Sequence, residues 1–213
     1  MNHRSAAVVA IIFGLLMFVP AIVLGAAINW PASLSEPGSV MMPLLVQNAA
    51  AVQAGYLVYL VYSLLFLPAI VLLGRVAGDS WLVRVAIAAA AVSALARAIG
   101  IVRWLTVLPE LAAADGSPEL FDAINSYGGA IGELLGVSLF GAAALALVVI
   151  ALRDALPRWV ITFGLVAAAG LVLPWIEVFG VDLGPIISVS VALLQFWFIA
   201  VGIVLAVKSR AAR

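Results

Sequence analysis

GGAIGELLGVSLFGAAALALVVIAL, residues 128–152, is an apolar and small-residue run that contains a single ionisable residue, Glu133. A helix that crosses a bilayer needs about 20 mostly apolar residues, because each residue adds about 1.5 Å across a hydrocarbon core about 30 Å thick. The run is long enough for this. It therefore predicts a transmembrane helix.

Five further runs have the same character, and the whole chain is 67% hydrophobic and 9% charged. Soluble domains carry about 25% charged residues, so this composition favours a lipid environment. We predict an all-α fold, a bundle of six transmembrane helices that forms one transmembrane domain over residues 1–213. The predicted spans cover residues 6–28, 53–74, 85–104, 128–152, 159–178 and 185–207.

Basic residues occur in alternate loops, which gives the predicted bundle a direction. Lysine and arginine are enriched in cytoplasmic loops, so the pattern predicts that the N and C termini are both cytoplasmic. The basic residues outside the spans are Arg4, Arg75, Arg84, Arg153, Arg158, Lys208, Arg210 and Arg213. The remaining loops contain only acidic charges: Glu36, Glu110, Asp115, Glu119, Asp122, Glu177 and Asp182.

Residues 40–52 are apolar but contain Pro43, Gln47 and Asn48. We interpret them as an interfacial or loop segment before the second span, and a re-entrant segment is the alternative. Prolines also occur within the spans, where they are interpreted as tolerated kinks or as gating hinges. They are Pro20, Pro68 and Pro174.

Three ionisable residues lie within the spans: Arg97, Arg103 and Glu133. A charge at the centre of a transmembrane helix costs about 2.5–3.5 kcal/mol, so a retained charge is usually paired. Arg97 and Glu133 each lie about 10 Å below the aromatic residue that marks the interface on its helix. Because these helices are antiparallel neighbours, we predict an Arg97–Glu133 ion pair. Arg103 is near the interface, where its side chain can extend to water without a partner.

Small and polar residues surround this predicted pair. Gly128, Gly132 and Gly136 recur every four residues, which is typical of a seam where another helix approaches closely. The seam is expected within the bundle, and a dimer contact is the alternative. The side chains predicted to line one polar pocket are Tyr59, Tyr62, Arg97, Glu133 and Gln195.

Several kinds of site are excluded or not expected. The chain has no cysteine and its only histidine is His3, which excludes disulfides, thiolate nucleophiles and zinc sites. The formal net charge is zero and gives no sign of a nucleic-acid partner. We expect no metal, no cofactor and no enzyme activity, and the sequence names no protein partner.

The polar cluster has two interpretations, a structural staple or a site for a small molecule or lipid. We therefore expect a non-enzymatic membrane protein in which this cluster stabilises the bundle and serves as a ligand site. One alternative is a secondary transporter or proton-coupled carrier, since charged pairs beside kinked helices occur in such proteins. Another alternative is an accessory subunit of a membrane complex.

The stretch from about Gln53 to Pro174 resembles a bacterial multi-pass membrane family that is classed only as a domain of unknown function. The resemblance implies six spans in a bacterial inner membrane and implies no activity. The features that carry it are Arg97, Arg103-Trp104, Pro109, Phe121, Tyr127-Gly128, Gly132-Glu133 and Leu156-Pro157.

Overall fold

Six helical segments of the computed structural model are long and apolar enough to cross a membrane. The structure describes residues 3–179 and 185–211, and every regular element within these ranges is helical. The prediction of an all-α fold with six candidate spans is therefore confirmed. Asp182 and Arg213, which belong to the charge pattern of the loops, lie outside the described residues.

The six segments are built from shorter helices, which we number in chain order. They are α1 His3–Leu16, α2 Phe18–Ile28, α3 Gly38–Gln47, α4 Ala49–Ala77, α5 Trp81–Leu105, α6 Val107–Ala113, α7 Pro118–Gly129, a π-helix Ala130–Gly141, α8 Ala142–Ala151, α9 Arg158–Gly170, α10 Pro174–Glu177 and α11 Pro185–Ala211. A 3₁₀ turn, Ala32–Ser35, lies between α2 and α3.

Prolines account for three of the breaks between consecutive helices. Proline has no N–H to donate to the carbonyl four residues earlier, and its ring collides with that turn. Pro20 thereby separates α1 from α2, Pro109 separates α5 from α6, and Pro174 separates α9 from α10. Pro68 lies inside α4, which runs through it without a break.

The predicted span over residues 128–152 contains an unexpected element. Its first half is a π-helix of 12 residues, which is wider than an α-helix and continues directly into α8. Ser93 of α5 donates a hydrogen bond of 2.6 Å to the carbonyl of Gly136 within it. A side chain of α5 thus satisfies a backbone carbonyl group within the π-helix. π-helical turns are rare and occur frequently at functional sites.

The helices pack around α5, which contacts α4, the π-helix and α8. On one side α1 packs against α11 and α4, and α9 packs against α11 and α8. Helix α1 begins and helix α11 ends at the same end of the bundle. We call this end the terminal end and the opposite end the far end. A large apolar core fills the terminal half, and a smaller cluster around Trp104 lies near the far end.

The ambiguous segment over residues 40–52 is divided between two helices. Its first part lies in α3, which packs against α6 and α7 at the far end, and its last residues already belong to α4. The backbone N–H of Gly38 donates to Asp122 Oδ1 of α7 at 2.7 Å and anchors the start of α3 there. These contacts favour the interfacial interpretation over a re-entrant segment.

Candidate functional site

The site is built on a close approach between α5 and the π-helix. A Cβ atom on Gly100 would lie only 2.7 Å from the Cα atom of Gly132, so the two backbones meet where neither has a side chain. Gly136 leaves the space that the Arg97 side chain occupies, and Gly128 leaves the space for the Arg103 side chain. All three glycines of the predicted seam thus lie against α5.

Arg103 is the most extensively bound side chain of the site. Its Nη1 donates to the carbonyl of Gly100 at 2.5 Å, its Nε donates to Asn125 Oδ1 at 3.2 Å, and its Nη2 lies 3.7 Å from Glu133 Oε1. Asn125 in turn donates to the carbonyl of Leu34 at 3.2 Å. The expectation that Arg103 needs no partner is wrong, because its side chain is buried and contacts α7 and the π-helix.

Arg97 lies deeper in the bundle and contacts aromatic rings. Its guanidinium carbon lies 4.8 Å from the ring centre of Tyr62 and 5.6 Å from that of Phe66. Attraction between a cation and the negative face of a ring stabilises such contacts, more so when they are removed from water. The hydroxyl of Tyr62 accepts a 2.7 Å hydrogen bond from Gln195 Nε2, which connects this cluster to α11.

The predicted Arg97–Glu133 ion pair is wrong, since Glu133 pairs with Arg103 instead. Side chains on a helix lean toward its N-terminus. α5 and the π-helix run in opposite directions, so Arg97 leans toward the terminal end while Glu133 leans toward the far end. Arg103 also leans toward the terminal end and thereby reaches Glu133. Matching the heights of the backbone positions did not account for this opposed direction.

A cavity of about 370 Å³ lies beside these residues. Four of the predicted pocket residues line it, namely Tyr59, Arg97, Glu133 and Gln195, and Arg103 does so as well. Tyr62 does not line the cavity, but it contacts two lining residues, Arg97 and Gln195. Apolar residues of the α1–α2 break, α2, α5, the π-helix and α11 also line the cavity: Met17, Phe18, Ala21, Ile101, Leu134, Val137, Val191 and Ala192.

Sequence reasoning missed several polar and aromatic residues of this wall. Trp30, Tyr56 and Trp104 line the cavity, with the rings of Tyr56 and Trp104 stacked at 5.0 Å between centres. Ser138 and Glu177 line it too. The face that Tyr56 shares with Tyr59 was visible in the helical spacing, whereas nothing in the sequence connects Trp30 or Glu177 with α5.

Part of the hydrogen-bonding capacity of this wall is unused within the described residues. Four buried side-chain atoms of lining residues have no hydrogen-bond partner there: Tyr56 OH, Arg97 Nε, Ser138 Oγ and Gln195 Oε1. Buried polar atoms are normally bonded, and each exception costs free energy. The lining therefore retains polar groups that the fold itself does not satisfy. Residues 3–179 and 185–211 contain no group of three or more His, Asp or Glu side chains suited to a metal ion.

The model of a family described as a domain of unknown function, DUF4386, matches residues 2–207. The chain belongs to the DUF4386 family. The match extends the resemblance noted over residues 53–174 to all six segments of this DUF4386 protein. No curated protein and no solved structure matches the chain. The family description assigns no activity, so a functional proposal for the DUF4386 protein depends on the cavity.

Replacing Arg103 by alanine should lower the free energy of unfolding of the DUF4386 protein by about 1.5–3 kcal/mol, the range for a hydrogen bond to a charged group. The variant leaves Asn125 Oδ1 and the Glu133 carboxylate without their cation. Chemical unfolding in mild detergent measures the change.

Arg84→Ala is the matched control, because Arg84 forms an exposed ion pair of 3.8 Å with Asp79. Exposed pairs contribute little, so its unfolding curve should overlay that of the unsubstituted protein. Equal effects of the two substitutions would show that the Arg103 contacts do not hold the bundle together.

Proposed function

We propose that this chain is a multi-pass membrane protein that binds a small molecule or lipid in the cavity and does not transform it. The observation that carries the proposal is a cavity inside the bundle whose lining combines apolar side chains with Arg97, Arg103 and Glu133. Ligand sites typically have volumes of about 300–1,000 Å³ and are apolar with a few placed polar groups. The cavity has both properties.

Ala21→Phe should abolish ligand binding, because Ala21 lines the cavity and a phenyl ring would fill part of it. The protein, purified in mild detergent, is analysed by native mass spectrometry for a retained small molecule or lipid. We expect an adduct with the unsubstituted protein and its loss in the Ala21→Phe variant.

Ala26→Phe is the control on the same helix, since Ala26 is exposed on the surface of α2 and is not part of the lining. Its adduct should persist. Adducts that survive Ala21→Phe, or no adduct in any of the three proteins, would contradict binding in the cavity.

A second candidate function is secondary transport, and a specific feature favours it. Transporters place substrates beside discontinuous helices near the middle of the membrane. Here Met17 at the α1–α2 break, Pro174 at the α9–α10 break and several π-helix residues all line the cavity. Three interrupted segments therefore meet at one site, where small changes of geometry could open or close it.

Transport predicts a flux that depends on Glu133. Proteoliposomes are assayed for proton movement and for uptake from a panel of small solutes, and Glu133→Gln should reduce the flux at least about tenfold if its charge carries the coupling. Glu110→Gln, a change of the same kind at an exposed position of α6, should leave it unchanged. A protein that binds its ligand but supports no flux is a binding protein only.

We further propose that the protein resides in a bacterial inner membrane with both termini in the cytoplasm. The basic loops, together with Arg4 at the start of α1 and Lys208 near the end of α11, lie at the terminal end of the bundle, and within the described ranges the loops of the far end carry only acidic charges. This distribution follows the rule that cytoplasmic segments retain lysine and arginine.

Single cysteines test the orientation directly, because the natural chain has none. In spheroplasts, a membrane-impermeant maleimide should label Ala114→Cys at the far end and should label Ala211→Cys only after permeabilisation. Both positions are exposed alanines, which makes the pair matched. The reverse labelling pattern would contradict the proposed orientation.

A further inference from the structure

We infer that the cavity recognises an organic cation: an ammonium group attached to an apolar body. The inference rests on the proposed ligand-binding function and names the class of ligand. Two guanidinium groups and two carboxylates, Glu133 and Glu177, belong to the lining, so the class of ligand depends on which of these charges is accessible from the cavity.

The two arginines line the cavity, but little of either side chain is exposed. Arg97 is 4% exposed and Arg103 is 8% exposed. Each guanidinium nitrogen of Arg103 contacts one partner, in Gly100, Asn125 or Glu133, and the Arg97 guanidinium lies over two aromatic rings. An anionic ligand would compete with the contacts that Arg103 already makes, whereas Arg97 retains one buried donor, Nε, without a hydrogen-bond partner among the described residues.

Glu133 is the opposite case. Its side chain is 51% exposed although it belongs to a helix long and apolar enough to cross the membrane. Its contact with Arg103 involves Oε1 at 3.7 Å, which is long beside the roughly 2.7–2.9 Å of a strong charged hydrogen bond. The Glu133 side chain is thus about half exposed and lines the cavity, and a carboxylate in apolar surroundings gains most from a positive partner.

Aromatic rings in the lining also favour a cationic ligand. Trp30 and Tyr59, both only partly buried, line the cavity with their ring centres 5.8 Å apart in an edge-to-face arrangement. Rings of this kind attract ammonium groups, quaternary ones included. The bundle already uses this interaction, since Arg97 lies over Tyr62 and Phe66 and the guanidinium carbon of Arg103 lies 5.5 Å from the ring centre of Trp104.

The apolar part of the lining determines the rest of the ligand. Met17, Phe18, Ile101 and Val137 offer no hydrogen bond, so they suit a hydrocarbon body and disfavour a small hydrated cation such as sodium. Two kinds of molecule in a membrane carry an ammonium group: lipophilic amines and zwitterionic lipids, which carry it in the headgroup. Both share the chemistry that the site recognises.

The test compares three probes of nearly equal shape: benzyltrimethylammonium, its neutral isostere neopentylbenzene and the anion benzylsulfonate. Dissociation constants are measured calorimetrically with the full chain in nanodiscs of phosphatidylglycerol, and the heat from empty nanodiscs is subtracted. We expect the cation to bind about tenfold more tightly than the neutral isostere, and the anion more weakly than either.

Variants test whether Glu133 causes the preference for the cation over the neutral isostere. Glu133→Gln should reduce the cation-to-neutral ratio to about one, Glu133→Asp should restore most of it, and Glu110→Gln, outside the cavity, should keep it. Adding phosphatidylcholine to the nanodiscs distinguishes the two sources: competition with the probe indicates a lipid headgroup, and its absence indicates a free amine.

Three outcomes would overturn the inference. Equal binding of cation and neutral isostere, or a preference for the anion, refutes cation recognition and leaves a ligand-binding cavity in place. Failure of all three probes to bind refutes the inference, whereas the proposed function fails only if the protein retains no adduct that Ala21→Phe removes. A cation preference that survives Glu133→Gln refutes the role of that carboxylate.

Discussion

The Arg103 guanidinium is the interaction on which the far half of the bundle depends. Its donors connect α5 with α7 through Asn125 and with the π-helix through Glu133, and Asn125 continues to the α2–α3 connection. A buried guanidinium is costly unless its donors are bonded. The glycines opposite α5 make this burial feasible, because a side chain at Gly128 would occupy the space of Arg103. The spacing of α5 and the π-helix, and with it one wall of the cavity, follows from this requirement.

The spans were predictable from the sequence because lipid imposes a simple condition on each segment independently. Every backbone N–H and C=O must be bonded within the segment, so a long apolar run has to be helical wherever its neighbours lie. The residues of the site were predictable for a related reason: charges such as Arg97 and Glu133 are expensive in a span and persist only where they have partners. Neither argument requires knowledge of the packing.

The pairing within the site required information that the sequence does not contain. Whether Arg97 or Arg103 pairs with Glu133 depends on the direction in which each side chain points along and around its helix, and the two helices are antiparallel. The π-helix changes this rotation further, and its presence depends on tertiary contacts such as the Ser93 hydrogen bond to the carbonyl of Gly136. Asn125 was likewise overlooked, because an amide in an interfacial helix carries no signal until its neighbours are known.

The structural and ligand-binding interpretations of the polar cluster divide between different residues. Arg103 and Asn125 are bonded on several sides, and holding the helices together accounts for them fully. Glu133 is not explained in this way, since a carboxylate needed only to neutralise Arg103 would be most effective if buried against it at short range. Its side chain is instead half exposed and lines a cavity whose wall also contains aromatic rings. A partly exposed charge in an otherwise apolar transmembrane helix is costly. The cost is explained if the carboxylate of Glu133 binds a ligand that enters the cavity.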